Sequence, residues 1–274
     1  MKKLVLAVSI FALGTMGASA ADLAARPYTK APPMVVDPSY NWSGWYVGLN
    51  AGGAWDDSTG HLSSFTTAPP GADFTAAVAA GGTPQNLGAK HEGYFGGGQV
   101  GYNWQTGQFV YGLETDIQGA DIGRTSTTTF LGGGGIVPSV STGRDHIDWF
   151  GTFRGRVGIA ANNVLFYGTG GLAYGGVQSS ATNIFTPGTA GTFMGSSSDT
   201  RVGWAAGAGI EWGFAPNWTV RGEYLHVDLG SSNVTILDPV NFPLASAAYR
   251  FHHELDTARI GVNYKWGGPV VARY

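Results

Sequence analysis

The chain contains no cysteine, so it has no disulfide, no cysteine-ligated zinc or iron–sulfur site and no thiol nucleophile. Charge is also scarce: 12% of the 274 residues are charged, about half the share usual in a soluble domain. The formal net charge of -3 gives no electrostatic footprint for nucleic acid. No segment offers 18 uninterrupted apolar residues, so no transmembrane helix is expected. What the chain does have is glycine and rings: 45 Gly, 9 Trp, 12 Tyr and 14 Phe. Glycine at this density opposes a helical fold, because each interior Gly costs a helix roughly 0.5–1 kcal/mol relative to Ala. A hydrophobic content of 43% opposes disorder. The combination fits an all-β protein whose outer surface does not face only water.

The first twenty residues read as an export signal. Met1-Lys2-Lys3 precedes an apolar run from Leu4 to Met16 and a small-x-small site, Ala18-Ser19-Ala20. The run is too short to cross a bilayer core of roughly 30 Å. The mature chain is expected to begin at Ala21. Export without cysteine suits a Gram-negative envelope. Residues 21–43, with Pro27, Pro32, Pro33 and Pro38, read as a periplasmic linker, since proline breaks helices and central strands.

From Trp45 onward, eight segments alternate with period two. In the first, Trp45, Val47, Leu49 and Ala51 oppose Tyr46, Gly48, Asn50 and Gly52. In the third, Phe109, Tyr111, Leu113 and Ile117 oppose Glu114, Asp116 and Gln118. The fourth sets Trp149, Phe153, Val157 and Ile159 against Thr152, Arg154 and Arg156. The fifth, about Val164 to Gly176, has no clear facing. The seventh loses its alternation after Leu225, as a bulge would cause. In the eighth, Ile260, Val262, Tyr264 and Trp266 oppose Arg259, Gly261, Asn263 and Lys265.

The connections alternate as well. Gln105–Gln108, Ala161–Asn163 and Ala215–Asn217 are tight turns. The connections near Asp56–Glu92, Ala120–His146, Gln178–Asp199 and Leu229–Arg250 are long and rich in Gly, Ser, Thr and Pro, and are expected to be loops. Short turns on one side and long loops on the other describe an outer-membrane barrel. Hydrocarbon offers no hydrogen-bond partner, so a sheet that spans it must close on itself. The expected fold is therefore all-β: a closed, antiparallel, eight-stranded transmembrane β-barrel over 44–266, followed by a periplasmic tail, 267–274. Each strand needs about 9–11 residues to cross. Trp45, Trp104, Phe109, Trp149, Phe214, Trp218 and Trp266 are expected to form aromatic girdles at the interfaces.

Eight strands enclose a lumen that side chains can fill. The inward set holds the acids Glu114, Asp116, Glu211 and Glu223 and the bases Arg154, Arg156, Arg221, Arg259 and Lys265. In so narrow a space an unpaired charge costs several kcal/mol, so an ion-pair network that plugs the barrel is expected.

Taken together, several of these segments resemble one family. They are Trp42-Ser43-Gly44-Trp45-Tyr46-Val47-Gly48, Tyr111-Gly112-Leu113-Glu114-Thr115-Asp116-Ile117, and Asp148-Trp149-Phe150-Gly151-Thr152 with Arg154-Gly155-Arg156. Also matching are Gly170-Gly171-Leu172-Ala173-Tyr174-Gly175, Gly203-Trp204 with Gly207-Ala208-Gly209-Ile210-Glu211, Glu223-Tyr224-Leu225 with Val227-Asp228-Leu229-Gly230, and Arg259-Ile260-Gly261-Val262-Asn263-Tyr264. Over 42–266 the chain resembles the alphaproteobacterial outer-membrane β-barrel family, the "porin family" or outer-membrane immunogenic proteins (Omp25/Omp31-like, with an OmpA-like eight-stranded barrel). The resemblance implies an outer-membrane barrel with structural and surface-antigen roles. Haem binding is reported for some relatives, but no motif here carries it over. Such barrels end on an aromatic that the assembly machinery reads; here that is either the Tyr264 and Trp266 pair or Tyr274.

Motifs for chemistry are mostly absent. Gly96–Gly101 matches GxGxxG, yet a strand rather than a helix follows it, so it reads as barrel strand. The six histidines, His61, His91, His146, His226, His252 and His253, form no HExxH and read as loop or rim residues. There is no GxSxG elbow. Glu114 and Asp116 lie about 7 Å apart on one face, but the arginines beside them favour ion pairing over paired-carboxylate catalysis. The expectation is a non-enzymatic structural barrel without cofactor, metal or catalytic residues; a narrow channel or a surface ligand-binding barrel are the alternatives. The expected partners are outer-membrane lipid and lipopolysaccharide, the barrel-assembly machinery, and peptidoglycan or host factors, with no nucleic acid.

Overall fold

The computed structural model describes residues 40–56, 60–67, 73–87, 91–186 and 191–266. The chain divides into two units, Met1–Asp37 and Pro38–Tyr274, and all described residues belong to the second. The expected signal peptide (1–20), residues 21–39 of the expected linker, and the tail 267–274 with Tyr274 lie outside the described residues.

In chain order the elements are β1 (Gly44–Asp56), β2 (Gly60–Phe65), α1 (Thr75–Ala80), β3 (Asn86–Leu87), β4 (His91–Thr106), β5 (Phe109–Phe130), β6 (Ser139–Ala161), β7 (Val164–Phe185), β8 (Thr192–Ala215), β9 (Trp218–Asp238) and β10 (Phe242–Trp266). Successive strands from β4 to β10 pair antiparallel, and β1 pairs with both β4 and β10. The β1–β10 seam runs from Trp45↔Trp266 to Trp55↔Asp256 and closes a ring of eight strands. The short β2 adds to the outer part of β10, Phe65 against Ala247, and carries β3.

The ring is inverted relative to a soluble protein. The apolar members of each alternating pair point outward: Leu49 is 74% exposed, Val157 67% and Ile260 64%, while Glu114, Arg154 and Arg259 inside are nearly inaccessible. A contiguous apolar surface of this kind is stable only against lipid. Facing in the fifth segment is set by register: Phe166 and Leu172 point out, Leu165, Tyr167 and Ala173 in. The aromatics form two girdles. Trp45, Trp104, Phe109, Phe214, Trp218 and Trp266 gather at the end with the tight turns; Trp149 lies at the other end with Trp55 and Trp204. The turns use left-handed residues, Gly107 (φ 62°) and Asn162 (φ 55°), a conformation Gly and Asn tolerate best.

The long connections are largely strand, not loop. β5 to β10 run 21 to 25 residues each, about twice what a bilayer crossing requires. Three of the four outer connections are thus hairpins that continue the wall past the membrane. Their Ser- and Thr-rich stretches, such as Thr125–Thr129, face water as strand, where β-branched Thr is at home. The same boundary explains the lost alternation after Leu225. There the pattern reverses: Leu225, Val227 and Leu229 point in, and His226 and Asp228 point out. Beyond the bilayer the strand obeys the rule for a soluble sheet, with water outside and an apolar core inside. Gly230 (φ 77°) also breaks the β9–β10 register, between His252 and Glu254.

Residues 73–87 of the first outer connection bring side chains inward. Phe74, Ala77 and Leu87 pack with Phe185, Phe193, Ile236, Tyr249 and Phe251 in an apolar core inside the outer end. At the tip of the β9–β10 hairpin, Asp238 accepts backbone N–H bonds from Thr192 (2.8 Å), Val240 (3.2 Å) and Asn241 (3.0 Å). Those N–H donors, Asn241 first, hold its carboxyl down at about 2. A depressed acid stabilises the tip above its usual range near pH 4 and stops doing so as pH falls toward 2. Hydrogen exchange at the Thr192, Val240 and Asn241 amides should therefore speed up between pH 4 and 2 relative to neighbouring strand amides. Asp238→Asn should remove that pH step; a step that survives the substitution rules the carboxylate out as its cause.

Candidate functional site: the filled barrel interior

The interior is stacked in layers along the barrel axis. At the tight-turn end, Tyr40–Ser43, the end of the segment read as linker, enter the mouth. Trp42 is fully buried with Val110, Leu165 and Tyr167. Its backbone N–H donates to Gln105 Oε1 at 2.7 Å, and the Ser43 backbone N–H donates to Asn41 Oδ1 at 2.9 Å. Lys265 lies here: its Nζ donates to the Asn41 carbonyl and sits 5.0 Å from the Tyr40 ring.

The charged layer follows. Arg154 donates to Glu114 (2.7 Å), Asp116 (3.0 Å) and Glu223 (3.1 Å). Arg259 reaches Asp116 at 3.1 Å and also pairs with Glu223. Arg221 donates to Glu114 at 2.5 Å, and Arg156 to Glu211 at 2.7 Å. Tyr46 and Tyr167 donate to Glu114 and Glu223, each at 2.7 Å, and the Arg156 guanidinium stacks 4.0 Å from the Tyr167 ring. Thr152 and Thr219 hydroxyls donate to Asp116 and Glu211. Four carboxylates therefore face four guanidiniums, all buried, and their charges cancel. This balance matters, because a buried ion left unpaired costs several kcal/mol. Of the expected lumen charges, Glu114, Asp116, Arg154, Arg156, Glu211, Arg221, Glu223 and Arg259 come together; Lys265 stands apart at the mouth. Glu114 and Asp116 share Arg154 as an ion-paired set.

Strand geometry places these groups. Glu114, Arg154 and Gly171 are consecutive register partners across β5, β6 and β7, and so are Arg259 and Glu223 across β10 and β9. Glycine makes the room. A Cβ at Gly101 would lie 2.3 Å from the Tyr46 hydroxyl, and one at Gly112 would lie 2.3 Å from Asn103 Oδ1. Of the GxGxxG glycines, in strand β4 with no helix after them, only Gly101 belongs to this pattern; Gly96 and Gly98 lie on the outward face, where a Cβ would meet nothing closer than 3.5 Å.

Above the charges lies an apolar layer that includes Phe95, Ile122, Ile147, Phe150, Leu225, Leu229 and Leu255. Next comes a buried polar set absent from the sequence reading. His253 Nδ1 lies 2.9 Å from Asp145 Oδ2, its Nε2 2.9 Å from Ser232 Oγ, and Ser179 Oγ donates to Asp145 at 2.7 Å. His253, read as a rim or loop residue, is thus interior, because the β10 register turns it inward while His252 faces out. The chain order of a single polar residue among alternating ones gave no signal for this. The apolar cap around Phe193 and Tyr249 closes the stack. Among the described residues no group of three or more His, Asp or Glu is placed to hold a metal.

A closed ring with lipid-facing apolar residues, two aromatic girdles and a charge-balanced interior is an outer-membrane β-barrel. The chain belongs to the family described as outer membrane protein beta-barrel domain, whose model matches residues 8–265. It is 36% identical over 269 residues to the 31 kDa outer-membrane immunogenic protein of Brucella melitensis, covering 97% of this chain and 100% of that one. It is 31% identical over 185 residues to the 22 kDa outer membrane protein of Rhizobium leguminosarum, covering 66% and 71%. Among solved structures, Ail, the attachment invasion locus protein of Yersinia pestis, matches at 12% identity with a TM-score of 0.34, covering 82% of this chain and 99% of that one. The protein is thus an outer-membrane barrel similar to the immunogenic proteins.

Proposed function

We propose that the protein is a closed, non-enzymatic structural barrel that supports the envelope and presents its outer hairpins as a surface antigen. The observation that carries this reading is the succession of buried layers in the interior among the described residues, from Trp42 through the charged layer and the Phe95–Phe150 layer to the Phe193 cap. Ions crossing that stack would have to break charge-assisted hydrogen bonds inside a low-dielectric wall. Lipid and lipopolysaccharide would contact the outward belt, and the barrel-assembly machinery would meet Tyr264 and Trp266, stacked rings at the end of β10. The outer hairpins of β5–β6, β7–β8 and β9–β10 supply the surface that host factors would meet. The full mature chain, reconstituted in planar bilayers, should show no steady openings at voltages that open general porins. Steady, large unitary currents would replace this reading with a channel.

A further inference from the structure

Just outside the outer girdle the wall bends, at bulges between Gly119 and Ile122 on β5 and between Ile147 and Trp149 on β6. A groove of about 850 Å3 opens at the bend. One row of its lining follows consecutive register pairs across five strands: Glu92, Gly123, His146, Gln178, Ser198. A second row, two residues further out, is Thr125, Arg144, Ser180, Ser196. Both rows face outward, since the residues alternating with them on β6 and β7, Asp145, Ile147, Val177 and Ser179, are buried inside. Four strand spacings make the first row about 19 Å long, and three make the second about 14 Å. Gly123 notches the first row at its second position: a Cβ there would lie 2.2 Å from His146 Nδ1.

The lining is polar, and its shape is preset. His146 Nε2 lies 3.0 Å from Asp148, which also accepts from Gln178; Arg144 Nε donates to Thr125 at 3.2 Å. The Arg144 Nη groups, the serine hydroxyls and the Glu92 carboxylate offer donors and acceptors side by side. At the β4 end stands Tyr94, 81% exposed, paired in register with Asp121 and engaged in no ring contact among the described residues. The acids Glu92, Asp121 and Asp145 line the groove together with Arg124 and Arg144, so the lining carries no net positive charge that would select an anion. Hydroxyl-rich chains are what alternating donors and acceptors beside a free aromatic face recognise. The outward apolar belt beneath the groove ends at Ile117, Trp149, Tyr174 and Val202, which puts the groove where sugars begin above the lipid.

We infer that this groove binds an oligosaccharide lying along the five strands. The chemistry is shared by the saccharide of lipopolysaccharide in the same leaflet and by a free glycan. The inference rests on the outer-membrane placement and is independent of whether the lumen conducts. For the test, the full mature chain is refolded into phosphatidylcholine vesicles free of lipopolysaccharide. It is titrated calorimetrically with oligosaccharide released from lipopolysaccharide by mild acid, and separately with maltohexaose. Tyr94→Ala and Gln178→Ala change exposed groups, so heat-modifiable migration should stay as in the parent. Each should weaken binding by roughly tenfold, the equivalent of one lost hydrogen bond or ring contact. Binding of the released saccharide assigns the groove to the leaflet's own glycolipid; binding of maltohexaose alone assigns it to a free glycan. No binding of either, or binding unchanged in both variants, overturns the inference.

Discussion

Arg154→Ala should destabilise the refolded barrel by about 3–5 kcal/mol, the cost of stripping one partner from a buried ionic cluster. Arg154 is the hub: its guanidinium meets Glu114, Asp116 and Glu223 within 3.1 Å and also donates to Thr152 and Thr169. Its removal leaves four carboxylates facing three guanidiniums where water cannot screen the excess. Urea unfolding followed by gel migration or tryptophan fluorescence reads the loss. Arg250→Ala is the control, because Arg250 is exposed outside the bilayer and, among the described residues, donates to Asn233 alone; it should shift stability by no more than about 0.5 kcal/mol. Adding Asp116→Asn to Arg154→Ala restores the count of charges, so the double variant should be more stable than the sum of the singles. Equal effects of Arg154→Ala and Arg250→Ala would remove the ion-pair account of the lumen.

Gly101→Val should prevent formation of the heat-modifiable folded band, whereas Gly222→Ala should leave it intact. Both glycines sit mid-strand, and composition alone treats them alike. Gly101 faces the lumen, where a Cβ would meet the Tyr46 hydroxyl at 2.3 Å and the Leu113 carbonyl at 2.7 Å. A branched side chain there must displace Tyr46, whose hydroxyl bonds Glu114, so overpacking and a broken buried hydrogen bond act together. These effects sum to roughly 3 kcal/mol or more on ordinary magnitudes. Gly222 faces outward on β9 and a Cβ there meets nothing within 4 Å. Normal folding of Gly101→Val would show that the lumen has slack that the Tyr46–Gly101 contact conceals.

The membrane-crossing part of the fold is legible in the sequence because one physical rule governs it residue by residue. Lipid outside and a filled lumen inside force period-two alternation, so Leu49 against Asn50, or Ile260 against Arg259, declares its side without any tertiary information. The outer hairpins are not legible in this way. Past the bilayer the outward face of the wall meets water, and Ser and Thr in Thr125–Thr129 or Ser179–Thr182 suit a water-facing strand as well as a loop. Only pairing between strands far apart in the chain makes them wall.

The lumen divides the same way. Composition and alternation by themselves determined which charges of the membrane-spanning strands point inward and that acids and bases there nearly balance, since an unpaired buried charge costs several kcal/mol. The tertiary structure alone decided the partners: Arg154 chooses three carboxylates on two other strands, Lys265 leaves the cluster for Asn41, and His253 meets Asp145 across 108 positions of sequence. It also decided the five-strand groove, whose rows exist only as register. Period two fixes the side of the sheet on which a side chain stands, but the stagger of neighbouring strands fixes what it touches, and stagger is a property of the closed ring.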